Sequence, residues 1–136
     1  MRNIKYIVIH CTAGPQNQST ENIKAYWKNS LGWKNVGYHI LVNADGSYER
    51  LADDSVVTNG VANFNSNSIH ISYKGGVDDK GKPKDTRTEA QKKTILTLVR
   101  HFRAKYPKAI IQGHKDFPKV TKACPSFEAK KEYKDI

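Results

Sequence analysis

Two histidines and one cysteine are placed where their side chains can meet a metal ion. The chain contains five histidines and two cysteines. His10 and His114 each close an apolar run rich in β-branched residues, so both lie at the C-terminal ends of predicted buried strands. Such strand ends meet at one edge of an open sheet, where functional sites collect. Cys124 follows His114 in a predicted loop and is a plausible third ligand.

These residue types match the ligands of a catalytic zinc site. Such a site uses three protein ligands, most often His together with Cys or a carboxylate, and keeps a fourth position open for water. The spacing of His10, His114 and Cys124 permits this triad but does not prove it. A strand-end histidine that only hydrogen-bonds a backbone carbonyl is the alternative for each imidazole.

The second cysteine, Cys11, is expected to be a core residue. Side chains alternate along a strand, so Cys11 shares a face with Ile9 and points away from the face of His10. A small apolar role then suits Cys11 better than metal binding. The competing hypothesis is a disulfide between Cys11 and Cys124, which the same alternation disfavours.

The elements that must position these residues follow the order β-α-β-β-β-α-β. Turn residues, apolar periodicity and capping signals define them. The segments are a strand over residues 4 to 11, a helix between Ser19 and Gly32, a hairpin over 36 to 51 with Tyr38 and His39 on its first strand, a strand over 68 to 73, a helix from Thr88 to before Pro107, and a strand over 109 to 114. We therefore predict an α/β fold, with residues 1 to 136 forming a single domain whose mixed central β-sheet is flanked by helices.

Each predicted helix carries an apolar face that should pack on the sheet. In the first helix the inward residues are Ile23, Tyr26, Trp27 and Leu31, and in the second they are Ile95, Leu98, Val99 and Phe102. Among the remaining histidines, His39 is expected to be buried, and His70 and His101 to be exposed or half-buried.

The positive charge of the chain favours anionic partners but does not distinguish among the classes of them. A net charge of +10 and a pI near 9.6 favour polyanions such as nucleic acid, anionic lipid or an acidic cell-wall polymer. The lysines and arginines are spread along the sequence and no nucleic-acid-binding motif accompanies them, so no nucleic-acid partner is expected. The N-terminal apolar run is short and ends in a histidine, which predicts synthesis in the cytoplasm without a signal peptide and no membrane insertion.

Four segments in order resemble the zinc-dependent N-acetylmuramoyl-L-alanine amidases, the family of phage lysozyme-type amidases and peptidoglycan recognition proteins. The segments are YIVIHCTAG, GWKNVGYHILVNADG, NSNSIHISYKGG and KACPSF. The resemblance extends from Tyr6 to about Tyr133. It implies the fold of that family, a Zn²⁺ cofactor, peptidoglycan as substrate, and hydrolysis of the amide between N-acetylmuramic acid and L-alanine.

The resemblance also implies a role for individual residues. The family's zinc ligands correspond to His10, His114 and Cys124. Its catalytic tyrosine corresponds to Tyr38 in the segment GYH, and its catalytic lysine to Lys122, two positions before the cysteine. These two side chains would stabilise the oxyanion that forms when water attacks the amide.

The sequence offers more than one residue that could give a proton to the leaving amine. Tyr38, Asp116 and Glu49 are candidates, and the match to the family motif favours Tyr38.

Two other functions are alternatives to the amidase hypothesis. A non-catalytic peptidoglycan-binding module generally lacks a metal ligand, so the presence of Cys124 favours an enzyme. Nucleic-acid binding would depend on charge alone. For the amidase we expect a monomer that acts on the cell wall, and release through a holin would fit a chain without a signal peptide.

Overall fold

A five-stranded mixed sheet organises residues 2–136, the part of the chain that the computed structural model describes. Its strands are β1 (Tyr6–Cys11), β2 (Ile40–Val42), β3 (Tyr48–Arg50), β4 (Ser68–Tyr73) and β5 (Ile110–Gly113). They lie in the order β3-β2-β4-β1-β5, and every pair is parallel except β2 with β3. The C-terminal ends of four strands therefore share one edge. The predicted fold class, a single α/β domain with a mixed sheet and flanking helices, is confirmed.

The helices differ widely in length, from four residues to 17. They are α1 (Thr20–Ala25), which continues as a π-helical turn (Tyr26–Ser30), α2 (Glu89–Lys105) and α3 (Ala129–Glu132), with 3₁₀ turns at Asn65–Asn67 and His114–Asp116. The predicted capping box of α2 is present, because the Thr88 hydroxyl accepts the Gln91 N–H at 3.0 Å and the Gln91 side chain accepts the Thr88 N–H at 2.9 Å. Among the described residues, no helix has the length and apolar character needed to cross a bilayer.

Both faces of the sheet are covered. The predicted apolar face of α2 packs against alternate sheet residues, including Ile7, Ile9 and Cys11. The opposite face carries Val8 and is covered by two smaller clusters, one containing Val61 and Phe117, the other Ile23, Trp27 and Leu41. His10 lies on this second face because it follows Val8 by two positions.

The first helix departs from its prediction. Ile23 and Trp27 are buried as expected, but Tyr26 is 54% exposed and Leu31 is 42% exposed. The backbone widens to i→i+5 bonding after α1, and the Leu31 N–H bonds the Tyr26 carbonyl at 3.1 Å. The wider turn rotates Leu31, which follows it, away from the face that a 3.6-residue period defines. Tyr26 begins the turn, still in ordinary helical geometry, and is exposed without being displaced by it. The prediction that Tyr26 and Leu31 pack in the core was therefore wrong.

The hairpin is shorter than predicted. Tyr38 and His39 precede β2 rather than belonging to it, although the His39 N–H still bonds the His70 carbonyl at 2.9 Å. Gly46 provides the positive φ, +90°, that the turn requires.

Arg87 ties the segment before α2 to the C-terminal helix. Its guanidinium is 3% exposed, donates to Glu132 at 2.8 and 2.9 Å and to Asp85 at 2.9 Å, and lies 3.4 Å from the centroid of the Phe127 ring. The chain after Cys124 is thereby fixed against the sheet.

Replacing Arg87 should show how much its contacts contribute to the stability of the fold. We expect Arg87→Met to lower the free energy of unfolding by about 2 to 3 kcal/mol, because charge-assisted hydrogen bonds are lost while both carboxylates regain only part of their water. Arg50→Met is the control, since Arg50 is 40% exposed and pairs with Asp54 at the surface, where such pairs contribute less than about 1 kcal/mol. Denaturant titration compares the two, and equal losses would refute the structural role of Arg87.

Candidate active site

The structure brings His10, His114 and Cys124 together. One possible ligand atom from each residue lies within 4.8 Å of the other two. The His10 and His114 ring centroids are 4.9 Å apart, and the Cys124 Sγ lies 3.8 Å from the His10 Nδ1. No other group of three or more His, Cys, Asp or Glu residues in the described part of the chain meets the same criterion for holding a metal ion.

The two histidines meet because their strands are neighbours. β1 and β5 are parallel, with Ile9 opposite Gly113, so the next residue of each chain segment projects from the same edge. His114 itself lies in the 3₁₀ turn that follows β5 and not in the strand as predicted.

The Cys124 loop approaches this edge closely. A Cβ on Gly113 would lie 2.6 Å from the Pro125 Cδ, so the position requires glycine. The Lys115 N–H donates to the Cys124 carbonyl at 2.9 Å, and the Tyr73 hydroxyl donates to the Pro125 carbonyl at 2.6 Å. These contacts hold the thiol near both imidazoles.

The two cysteines are free thiols, as expected. Cys11 is buried in the core, but its backbone N–H donates to the Cys124 Sγ at 3.2 Å. This amide is a neighbour suited to a sulfur that carries negative charge. The approach of the loop to the backbone of Cys11 was not predicted.

A second histidine, His70, contacts the His10 ring, and its burial was not predicted. His70 is fully buried, and its Nδ1 lies 2.8 Å from the His10 Nε2. The prediction that His70 is exposed or half-buried was therefore wrong. His39 is buried and His101 exposed, both as predicted. The loop that contains Gly60 and Asn65 contacts the His70 ring and covers this part of the sheet.

Tyr38 and Lys122 line the same cleft as the three candidate ligands, with a volume of about 690 Å³. The Tyr38 ring lies 5.1 Å from the His10 ring and edge-on to Trp27 at 5.3 Å, and its hydroxyl donates to the Cys11 carbonyl at 3.3 Å. Lys122 is exposed at the mouth of the cleft. The structure therefore places all five predicted site residues around one cleft.

The other two candidates for proton transfer lie elsewhere. Asp116 accepts the Gly113 N–H at 2.9 Å and caps the turn that follows β5. Glu49 contacts the Thr20 hydroxyl and lies 4.0 Å from the Lys74 ammonium. Neither carboxylate lines the cleft.

Burial determines the charge state of the site. Burial, followed by neighbouring positive groups, holds the pKa of His10 well below 6.5. Burial and then the charge of Lys122 lower the pKa of His114 to about 4. Burial also raises the pKa of Tyr38, so its phenol stays protonated. At neutral pH both imidazoles keep a free lone pair and Tyr38 remains a hydrogen-bond donor.

Comparison with known proteins identifies the family of the chain. A model of the N-acetylmuramoyl-L-alanine amidases matches residues 1–127. The chain belongs to this amidase family. It is 36% identical over 127 residues to an endolysin of Escherichia phage T7, a match that covers 92% of this chain and 82% of the relative.

Solved structures agree with this assignment. The amidase superposes on the Ph2119 endolysin from a Thermus scotoductus bacteriophage with a TM-score of 0.78 and 31% identity, covering 92% of this chain and 79% of that one. It also shares its fold with the peptidoglycan recognition protein PGRP-SA of Apis mellifera, at a TM-score of 0.80 and 21% identity over 99% of this chain and 84% of that one.

Family membership confirms the predicted enzyme class. The chain is an N-acetylmuramoyl-L-alanine amidase, a hydrolase of amide bonds in peptidoglycan. The donor set of His10, His114 and Cys124 is its candidate metal centre.

Proposed function

We propose that the chain is a zinc-dependent, endolysin-like amidase that cuts between N-acetylmuramic acid and L-alanine, with zinc held by His10, His114 and Cys124. The observation that carries the proposal is the convergence of two imidazoles and one thiol, within 4.8 Å, in a cleft of this family's fold. The whole of residues 1 to 136 would form one amidase domain, because the segment after residue 127 packs Ala129 and Tyr133 into the core.

The donor set fits zinc in its chemistry and its spacing. A tetrahedral zinc, with bonds near 2.0 Å to nitrogen and 2.3 Å to sulfur, places those two atoms about 3.6 Å apart. The observed separation of the His10 Nδ1 and the Cys124 Sγ is 3.8 Å. Three protein ligands are also the number used by catalytic zinc sites, which reserve a fourth position for water.

The residues of the chain would supply the rest of the catalysis. When bound, zinc would lower the pKa of a water molecule to about 7 and polarise the carbonyl of the scissile amide. Attack on that amide places negative charge on its oxygen, and the protonated Tyr38 hydroxyl is a donor for this charge. Lys122 adds a positive charge at the mouth of the cleft.

The leaving nitrogen must receive a proton. Among the three candidates for this step, Tyr38 is the one that lines the cleft, so we assign to its hydroxyl a relay that gives its proton to the leaving nitrogen and takes up the proton released by the attacking water.

The shape and charge of the molecule suit a polymeric, anionic substrate. The cleft shares Ala13, Gly14 and Pro15 with an adjoining depression of about 800 Å³, so a groove and not a closed pocket leads to the site. The net charge of +10 favours approach to an acidic wall polymer rather than requiring a nucleic-acid partner. We propose that the amidase acts as a monomer on the cell wall after holin-mediated release.

Mass spectrometry of digested sacculi tests the function. Purified protein supplied with zinc should release free stem peptides that begin with L-alanine, together with glycan strands bearing intact lactyl groups. Fragments produced by cutting between sugars, or within the stem peptide, would contradict the proposed bond. The same digest after treatment with a chelator is the matched control and should yield no products.

The affinity for zinc should increase with pH. The neighbouring Cys11 thiol and burial raise the pKa of Cys124, so this ligand loses a proton on binding metal, whereas burial keeps both imidazoles neutral at neutral pH. We expect the logarithm of the association constant to rise by about one per pH unit between pH 6 and 7, where the thiol proton is released, and more steeply toward pH 8, where a metal-bound water would also lose its proton. Calorimetry in buffers of different ionisation enthalpy would measure the proton released, and an affinity independent of pH would contradict this prediction.

A further inference from the structure

The hydrogen bonds behind His10 fix the position of every proton in a short chain of side chains. The chain begins at the Val61 backbone N–H, which lies 2.7 Å from the Asn65 Oδ1. A backbone amide can only donate, so the Asn65 atom that faces it is the carbonyl oxygen of the side chain. The orientation of the Asn65 amide is thereby fixed by the backbone.

The same oxygen determines the tautomer of His70. The His70 Nε2 lies 2.9 Å from the Asn65 Oδ1, which can only accept. The His70 Nε2 therefore carries a hydrogen. The ring is fully buried and its hydrogen-bond partners are His10 and Asn65, so no carboxylate balances a charge on it; it is therefore neutral and its Nδ1 is a bare acceptor.

His70 in turn determines the tautomer of His10. The bare His70 Nδ1 lies 2.8 Å from the His10 Nε2, so the His10 Nε2 must donate. A neutral His10 then has its lone pair on Nδ1, the atom 3.8 Å from the Cys124 Sγ. The lone pair faces the candidate metal centre.

We propose that His70, oriented by Asn65, is a positioning residue that holds His10 in the tautomer and ring orientation required of a metal ligand. This inference rests on the proposed function, because it treats His10 as a ligand. Gly60 makes the arrangement possible, since a Cβ at that position would lie 2.4 Å from the His70 Nδ1. Metal-ligating histidines ordinarily donate their second nitrogen to a carboxylate, carbonyl or water, and here a second imidazole takes that place.

Nitrogen NMR on metal-free wild-type protein tests the tautomer without any substitution. With ¹⁵N-labelled histidine, we expect His10 and His70 each to show a protonated Nε2 and a bare Nδ1 at neutral pH. A His10 signal with its hydrogen on Nδ1 would overturn the proposal. This measurement does not depend on zinc binding or on activity.

Substitution of His70 tests the effect on the metal. His70→Leu removes the acceptor and should weaken zinc binding by about 10- to 100-fold, measured by competition with a chromophoric chelator. His70→Asn returns an acceptor oxygen near the position of Nδ1 and should restore the affinity to within about threefold of wild type. Equal affinities for wild type and His70→Leu would overturn the proposal.

A neighbouring histidine provides the control for packing. His39 is also fully buried, and its ring stacks on the His70 ring with a centroid distance of 6.0 Å. Its ring nitrogens bond the His70 backbone N–H and the Val56 carbonyl, so it is not part of the hydrogen-bond chain that reaches His10. His39→Gln should lower the thermal stability and leave zinc affinity unchanged, whereas a loss equal to that of His70→Leu would assign the effect to packing. If wild type binds no zinc, the proposed function fails, and the nitrogen shifts still decide the tautomer.

Discussion

Cys124→Ser should abolish amide hydrolysis and release zinc from the protein. A serine hydroxyl stays protonated at neutral pH and does not replace a thiolate ligand, so zinc affinity should fall by more than the roughly 100-fold that loss of an outer partner causes. Metal analysis after dialysis gives the zinc content, and release of stem peptides from sacculi gives the activity. We expect both to reach background.

Cys11→Ser is the matched control for this substitution. Cys11 is the other thiol of the chain and its amide contacts the Cys124 Sγ, but its side chain belongs to the core. This variant should lose stability and keep one zinc per chain with most of its activity. Full zinc content and normal hydrolysis in Cys124→Ser would remove the cysteine from the proposed centre.

Tyr38→Phe should slow hydrolysis by about 10² to 10³, equivalent to about 2.7 to 4 kcal/mol of transition-state stabilisation. The phenylalanine keeps the ring against Trp27 and His10, so the fold and the metal centre should persist. What is lost is the protonated hydroxyl, the donor that we assign to the oxyanion and the leaving amine. Steady-state kinetics on a soluble muropeptide should show the loss in kcat, with zinc content unchanged.

Tyr26→Phe is the control, because Tyr26 lines the same cleft and is exposed. If the loss of activity in Tyr38→Phe is specific to the Tyr38 hydroxyl, Tyr26→Phe should change kcat by less than about threefold. A Tyr38→Phe enzyme with near-normal kcat would require a different oxyanion donor, with Lys122 the next candidate.

The elements that the sequence predicts well are those with strong local signals. Helix α2 has a capping box and a sustained apolar face, and both appear in the structure. The strands β1 and β4 are dense in β-branched residues and occupy the expected positions. Leu31 was misplaced because a π-helical turn, which no residue pattern announces, changes the helical period before it. Tyr26 begins that turn and was misplaced because helical spacing does not show which residues at the edge of an apolar face are covered.

The candidate site was predictable in part for a different reason. Strand ends explain the meeting of His10 and His114, but the path of the loop that carries Cys124 depends on close packing at Gly113, a tertiary contact. Residue type and spacing made Cys124 a plausible third ligand, and the resemblance to the amidase family assigned it to the same site. His70 was missed because alternation predicts which face a side chain takes and not whether that face is covered.

X-ray absorption at the zinc edge would identify the ligand atoms of the proposed metal centre. On stoichiometrically loaded wild-type protein, we expect one sulfur at about 2.3 Å and three lighter ligands near 2.0 Å, with imidazole scattering from two of them. Cys124→Ser should lose the sulfur signal and Cys11→Ser should retain it. A wild-type zinc shell without sulfur, or with two sulfurs, would contradict a centre built from His10, His114 and Cys124.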